Sequence, residues 1–236
     1  MKIVKKYHSA LFLLLFLTTC QPKSLTENTP EVWLHRANQI EKAQRFQYEY
    51  SGLEIDVHYI DSIHTFIIKH NENENSNLTL DQWCTALDNI SNLGIWFDFK
   101  NLTTNNREAS LQSLMAIREK HHLKGKLVVE SSNFNELTSF NEAGFLTSFY
   151  IPYFNPTIVD SLHYQLFREK TQAAIDNHIT YISGYDFQYE FMKQEFPDQP
   201  KLVWTINLDK RYQAKWKKEM THEKNVEIIL VPNEDW

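Results

Sequence analysis

Residues 52–57 have the sequence Gly-Leu-Glu-Ile-Asp-Val, in which apolar and acidic side chains alternate. Successive side chains of a β-strand point to opposite faces, so this pattern predicts a strand with Glu54 and Asp56 on one face and the apolar side chains on the other. Two like charges side by side are costly inside a fold unless a cation holds them. The stretch therefore predicts a pair of inward-facing metal ligands; the alternative is an acidic edge that faces solvent.

Short apolar runs recur along the whole chain, with helix-like segments between them. Eight such runs match the strand number of a closed parallel barrel, and their alternation with helices indicates parallel pairing. We therefore predict an α/β fold of the (β/α)8 TIM-barrel type. An open doubly wound sheet is the alternative, disfavoured because no glycine-rich phosphate loop follows any run. The runs are residues 32–34, 53–57, 95–99, 127–129, 149–151, 179–182, 202–206 and 226–231.

The segments between the runs carry apolar residues at helical spacing, for example around residues 111–115 and 212–220. The longest gap holds an additional run at 66–68, which predicts either a continuation of the second strand or a hairpin after it, and then a helix over 79–89. The chain ends at Trp236, soon after the eighth run. The last helix of the barrel is accordingly expected to be missing.

The first 20 residues have the pattern of an export signal, because three lysines precede an apolar run at 10–17 that is too short to span a bilayer. The Leu-Thr-Thr-Cys sequence that closes the pattern resembles a lipoprotein signal, in which Cys20 becomes the lipidated first residue of the mature chain. An ordinary secretory signal is the alternative. Residues 21–30, rich in Pro, Ser, Thr and Asn, predict a tether, and residues 31–236 a single barrel domain.

Charge and cysteine content limit the partners and the compartment. Removal of the signal takes away three lysines and no acidic residue, so the formal charge changes from −6 to −9, which argues against a nucleic-acid partner. Cys84 would be the one thiol left, so an exported domain without an internal disulfide is expected. We expect a location at the cell envelope, at the outer membrane or the periplasmic face of a membrane, with contact to the bilayer through the lipid anchor only.

The reactive groups of a (β/α)8 barrel lie at the C-terminal ends of its strands. Asp98 and Lys100 end the third run with the same two-residue spacing as the acidic pair, and Asp98 would complete an oxygen-rich site for one divalent cation, Mg2+ or Ca2+. A structural ion pair is the alternative role of Lys100. His35 and His70 end the first run and the hairpin, where a proton donor and acceptor working near neutral pH are expected.

Taken in order, these motifs resemble the signatures of the glycerophosphodiester phosphodiesterases, which are TIM barrels of the phospholipase C-like type. The similarity spans most of the chain after the tether. The matching sequences are His35-Arg36, Glu54-Ile55-Asp56-Val57, His70-Asn71, Asp98-Phe99-Lys100 in place of that family's Glu-x-Lys, and Trp204-Thr205-Ile206-Asn207.

The resemblance implies a metal-dependent phosphoric diester hydrolase acting on a small phosphodiester or a lipid head group. Glu54, Asp56 and Asp98 would bind the cation, and a neighbouring hydroxyl of the substrate would attack phosphorus to form a cyclic phosphate that water then opens. His35 and His70 would be the catalytic acid and base, and the substrate phosphate would be bound by Arg36 and Lys100.

The chain also departs from that family. The third acid is Asp instead of Glu, the glycines of the usual first loop are absent, and no insertion is large enough for a substrate-cap subdomain. Three segments resemble the menorin family, a compact relative: His35-Arg36-Ala37-Asn38, residues 78–83 and residues 96–100.

A second rank of candidate residues lies near the same strand ends: Asn38, Glu130, Trp204 and Asn207. Glu130 would add a ligand, position a water or pair with Lys100, and packing is the alternative role of Trp204. Two other functions remain open: an inactive barrel lipoprotein that binds a phosphorylated or sugar ligand, and a structural lipoprotein that binds a partner.

Overall fold

The computed structural model describes residues 29–233, which form a closed barrel of eight parallel strands. Strand β1 pairs with both β9 and β2, and this double pairing closes the sheet. A ninth strand, β3, pairs antiparallel with the outer part of β2. The predicted barrel is confirmed, and of the two alternatives for residues 66–68 the hairpin is the one that the structure shows. The strands are β1 (Glu31–Leu34), β2 (Gly52–Ile60), β3 (Thr65–Ile68), β4 (Gly94–Phe99), β5 (Leu127–Ser131), β6 (Leu146–Tyr150), β7 (Tyr181–Tyr185), β8 (Lys201–Trp204) and β9 (Val226–Val231).

Seven α-helices surround the barrel within the described residues, and none of them follows β9 there. None of these helices is both long enough and apolar enough to cross a membrane. The helices are α1 (Ile40–Phe46), α2 (Leu80–Thr85), α3 (Arg107–Lys120), α4 (Thr138–Glu142), α5 (Ser161–Asp176), α6 (Tyr189–Glu195) and α7 (Lys210–Met220).

Several predicted boundaries were wrong by a few residues. β7 ends at Tyr185 and not at 182, because the strand continues through the small residues Ser183 and Gly184. β8 ends at Trp204, two residues earlier than predicted, since Thr205 uses its hydroxyl to bind Asp186. The predicted helix over 79–89 is shorter: it begins after Thr79, which caps it together with Gln82, and ends at Thr85.

Side chains that point inside the barrel form a small second core, separate from the large core between the sheet and the helices. Trp33 fills its lower end, and Trp96 and Trp204 lie above it with ring centroids 5.9 Å apart. The interior is therefore packed below and leaves room only near the C-terminal ends of the strands. The predicted signal peptide, Cys20 and nearly all of the predicted tether lie outside the described residues.

Candidate active site

A cavity of about 270 Å³ opens at the C-terminal ends of the strands. One half of its lining comes from β1, β2, β4 and the loop after β3, and carries the charged groups. The other half comes from β5 to β8 and carries aromatic rings and one carboxylate. The lining includes His35, Arg36, Glu54, Asp56, His70, Trp96, Asp98, Lys100, Glu130, Ser132, Tyr150, Tyr185 and Trp204.

Three carboxylates of the charged half lie close enough to share one cation. Glu54, Asp56 and Asp98 each offer an oxygen, and the three oxygens lie within 4.8 Å of one another. Strand register causes this, because Asp56 pairs with Asp98 across β2 and β4, and Glu54 lies one inward position lower on β2. Oε1 of Glu54 is buried without a hydrogen-bond partner. An unpaired carboxylate oxygen beside two further carboxylates fits a hard divalent cation.

The protonation of these acids is strongly perturbed. Burial raises the pKa of Glu54 well above its usual range, and the charges of Asp56 and Asp98 raise it further. Burial also raises the pKa of Asp98, against the attraction of Lys100. Asp56 differs, because hydrogen bonds from His70, Lys100 and Asn38 and the charge of Lys100 outweigh its burial and hold its pKa well below the usual range. A cation bound among the three would favour the ionised form of all of them.

Lys100 places a positive charge beside this cluster. Its Nζ lies 2.7 Å from Oδ1 of Asp56 and also donates to Oδ2 of Asp98. The attraction of the two acids outweighs burial and raises the pKa of Lys100 above its usual range. The ion pair named above as the alternative role of Lys100 therefore exists, and it lies at the edge of the cavity with about a quarter of the side chain exposed.

His70 lies between the carboxylate of Asp56 and the guanidinium of Arg36. Its Nδ1 is 2.9 Å from Oδ1 of Asp56, and its Nε2 is 3.1 Å from Nη2 of Arg36. Arginine can only donate, so in this arrangement Nε2 accepts from Arg36 and Nδ1 donates to Asp56. The carboxylate orients the ring and can stabilise a positive charge on it, in the way that second partners orient catalytic histidines.

His35 faces the same cavity from the end of β1. Its Nε2 lies 3.7 Å from Oε2 of Glu54, and its carbonyl accepts from the buried Nζ of Lys42. Burial and the charge of Arg36 lower the pKa of His35 to about 3. The imidazole is therefore neutral at pH 7.

The loop after β1 holds Glu54 and Asp56 in place by hydrogen bonds. Arg36 has a left-handed backbone with φ of 53°, and this turn directs its N–H to Oε2 of Glu54 at 2.6 Å. Asn38 binds Asp56 twice: its Nδ2 donates to Oδ2 at 2.7 Å, and its Oδ1 accepts from the backbone N–H of Asp56 at 2.9 Å. Asn38 thus positions a carboxylate.

The other half of the cavity carries Glu130 and an aromatic wall. Oε2 of Glu130 accepts the hydroxyls of Ser148, at 3.2 Å, and Ser183. Burial and the charge of Asp98 raise the pKa of Glu130 to about 8. The wall consists of Tyr150, Tyr185 and Trp204, which are the last residues of β6, β7 and β8.

Most of the predicted site residues that the structure describes line this cavity, and two do not: Asn38, which lies behind Asp56 and binds it, and Asn207. Asn207 lies outside it on the loop before α7, where its side chain accepts from the N–H of Asp209. Sequence reasoning also missed Trp96 and Tyr185. Trp96 precedes Asp98 by two residues on the same strand, so strand alternation was a signal for it. Tyr185 was missed because β7 was predicted to end three residues earlier.

Comparison with solved structures finds this barrel in phosphodiesterases. Similar structures include a glycerophosphodiester phosphodiesterase from Parabacteroides distasonis, with 14% identity, a TM-score of 0.60 and coverage of 86% of this chain and 93% of that one. An Oleispira antarctica phosphodiesterase in complex with the product sn-glycerol-3-phosphate has 11% identity, a TM-score of 0.61 and the same coverages. A calcium-dependent phosphoinositol-specific phospholipase C from a Pseudomonas species has 13% identity and a TM-score of 0.52, over 88% of this chain and 89% of that one.

The chain has the fold of these phosphodiesterases. No family model matches the sequence, and no curated protein matches it significantly. Because the identities lie between 11% and 14%, the likeness is one of fold, and an activity has to rest on the groups inside the cavity.

Proposed function

We propose that the protein is a metal-dependent phosphoric diester hydrolase that acts on a glycerophosphodiester or a related small diester. The observation that carries the proposal is the meeting, in one cavity, of two histidines, two cationic side chains and three carboxylates that can share an ion. This set supplies an acid, a base, phosphate contacts and a cation site, which are the groups that phosphodiester cleavage needs.

Arg36 and Lys100 bind the phosphate in this proposal. The guanidinium of Arg36 is exposed at the cavity mouth, and within residues 29–233 its one hydrogen-bond partner is the uncharged Nε2 of His70. A phosphate oxygen is a stronger acceptor for it, since both partners are then charged. The move would release Nε2 of His70 toward the reacting atoms.

The two histidines transfer the protons. His35 is held neutral and accepts the proton of the attacking substrate hydroxyl as the P–O bond forms. Once Arg36 has moved to the phosphate, Nε2 of His70 takes up a proton from solvent, and the imidazolium, supported by Asp56, donates that proton to the leaving alkoxide as the other P–O bond breaks. The product of this step is a cyclic phosphate, and its opening by water runs with the two roles reversed.

Glu54, Asp56 and Asp98 would hold the cation, Mg2+ or Ca2+, which supplies positive charge for the phosphoryl oxygens. Lys100 shares two of these acids and supplies part of that charge from the protein itself.

The test is a rate assay of the full chain on glycerophosphodiesters and an aryl phosphodiester, in EDTA and with added Mg2+ or Ca2+. We expect turnover that requires the ion, and a loss of about a hundred to ten thousand fold in His35→Ala and His70→Gln. His163→Gln is the matched control, because His163 at the start of α5 is exposed and does not line the cavity. Ion binding without turnover would favour the alternative, an inactive barrel that binds a phosphorylated or sugar ligand.

A location at the cell envelope, with lipid attached to Cys20, is also proposed. It is supported by the pattern of the first 20 residues, which ends at Cys20. Cys20→Ser is expected to leave a precursor that no longer partitions into detergent. Unchanged partitioning would contradict the lipid anchor and leave the hydrolase proposal intact.

A further inference from the structure

The cavity half formed by β5 to β8 contains more recognition groups than an acyclic alcohol such as glycerol needs. Tyr150 and Tyr185 each lie against Trp204, with ring centroids 5.5 and 5.1 Å apart. The three rings pack on one another and form a continuous wall on one side of the cavity. Outside the cavity the wall continues through Phe187, whose ring stacks on Tyr185 at 5.0 Å.

Two polar side chains beside this wall, Glu130 and Trp96, each have a hydrogen-bonding atom without a partner in the described chain. Glu130 is 2% exposed, and both of its serine partners bind Oε2. Within the described part of the chain no donor is paired with Oε1. Trp96 is 1% exposed, lines the same cavity, and has an indole N–H without a partner. Buried polar groups are normally satisfied, so an unpaired carboxyl oxygen and an unpaired indole N–H in one cavity indicate a ligand with hydroxyl groups, which can donate and accept alike.

We propose that this half of the cavity binds a polyhydroxylated ring, a sugar or a cyclitol, as the alcohol part of the phosphodiester. The C–H face of such a ring packs on an aromatic wall, while its hydroxyls form hydrogen bonds with Oε1 of Glu130 and accept from Trp96. The proposal rests on the hydrolase function proposed above, because the phosphate has to sit in the charged half.

Two other head groups fit the same wall less well. A quaternary ammonium would be attracted by the rings, but it has no acceptor for the indole N–H of Trp96 and no hydroxyl for Glu130. An acyl chain offers neither an acceptor to the indole N–H of Trp96 nor a hydroxyl to Glu130, so it would leave both groups unpaired.

The experiment is calorimetric titration of the full chain, in the presence of Ca2+, with glucose 1-phosphate, inositol 1-phosphate, sn-glycerol 3-phosphate and phosphocholine. The four probes share a phosphate and differ in the alcohol. One of the ring phosphates is expected to bind about tenfold tighter than glycerol 3-phosphate, the usual worth of ring stacking, and the stronger of the two identifies the ring class. In Trp204→Leu and Glu130→Gln the ratio of ring to glycerol affinity is expected to fall toward one, whereas Tyr48→Ala, exposed and distant from the cavity, keeps the ratio.

Equal affinities for all four probes, tightest binding of phosphocholine, or an unchanged ratio in both cavity variants would overturn the ring proposal. These results do not depend on turnover. A chain that binds ring phosphates selectively but cleaves no diester would therefore contradict the hydrolase proposal alone, and a chain that cleaves diesters without ring preference would contradict this one alone.

Discussion

The indole of Trp33 occupies the space in which Gly52 would carry a side chain. A Cβ added to Gly52 would lie 2.3 Å from Cδ2 of Trp33, and one added to Gly94 would lie 2.4 Å from Cζ2. Because Trp33 is completely buried at the lower end of the barrel, neither side can yield. Gly52→Ala is expected to lower the free energy of unfolding by about 1–3 kcal/mol, the usual cost of overpacking, measured by denaturant titration.

A double-mutant cycle checks the cause of that loss. Trp33→Leu removes the obstructing ring, so Gly52→Ala should cost less in that background. Gly144→Ala is the contrast: its Cβ would meet Nη1 of Arg118 at an ordinary contact distance of 3.8 Å, but its φ of 84° opposes any side chain, so its cost of about 1–2 kcal/mol should not change with Trp33. Equal costs of Gly52→Ala in both backgrounds would show that the ring is not responsible.

Lys100 is expected to act as an internal counter-ion for the acidic cluster. Lys100→Met removes the positive charge that pairs with Asp56 and Asp98. The loss of this largely buried ion pair should lower the free energy of unfolding by about 3 kcal/mol in EDTA. Added Ca2+ or Mg2+ should then raise the melting temperature more in this variant than in wild type, since the ion meets uncompensated carboxylates. Lys124→Met, at an exposed position, is the control. An ion response no larger than that of wild type would contradict this role.

Lys201 provides a pH test far from the cavity. It is 1% exposed at the start of β8 and donates to the carbonyls of Phe196 and Gln199. Burial lowers its pKa to about 8, so the folded chain binds this proton less tightly than the unfolded chain does. Stability linked to Lys201 is therefore smallest below pH 8 and rises between about pH 8 and 10.5.

Denaturant unfolding at pH 7.5 and 9.5 measures this effect. Wild type should gain about 1–2 kcal/mol relative to Lys201→Met over that interval, although the variant loses the two carbonyl contacts at both pH values. Parallel pH profiles of the two proteins would show that the lysine is not perturbed in solution.

The recurrence of apolar runs along the chain was enough to predict the barrel. The alternation of apolar and charged side chains near the ends of these runs was enough to predict the charged half of the cavity. Strand register is set by the alternation in residues 52–57, and it brought Glu54, Asp56 and Asp98 together as predicted. Both histidines follow from the position of the strand ends. The residues at the ends of single strands are sufficient for this prediction, because the C-terminal ends of parallel strands all lie at one face of the barrel.

The other half could not be predicted in the same way. Glu130 was weighed as a ligand, a water-positioning group or a partner of Lys100, but its actual partners include Ser183, which lies 53 positions away on a strand that is not adjacent to β5. A prediction of Tyr185 would have needed the correct end of β7. The apolar run stops before Ser183 and Gly184, so the pattern does not show that the strand continues through these two small residues. Pairing across a barrel depends on strand tilt and closure, and single-strand patterns do not contain either.

Ligand and proton-transfer roles are separable by their response to added cation. Asp56→Asn removes one charge from the oxygen cluster and keeps the shape, so affinity for Mg2+ or Ca2+ should fall and part of the activity should return at high ion concentration. His35→Ala should leave cation affinity nearly unchanged, because no carboxylate is lost, while its turnover falls and does not return with added ion. Asp61→Asn, which removes the same charge from an exposed position just beyond β2, should change neither quantity. Calorimetric titration of the ion beside the rate assay measures both. A wild-type chain that binds no divalent ion, or His35→Ala protein that recovers its rate with added ion, would contradict the division of roles between the carboxylates and the histidines.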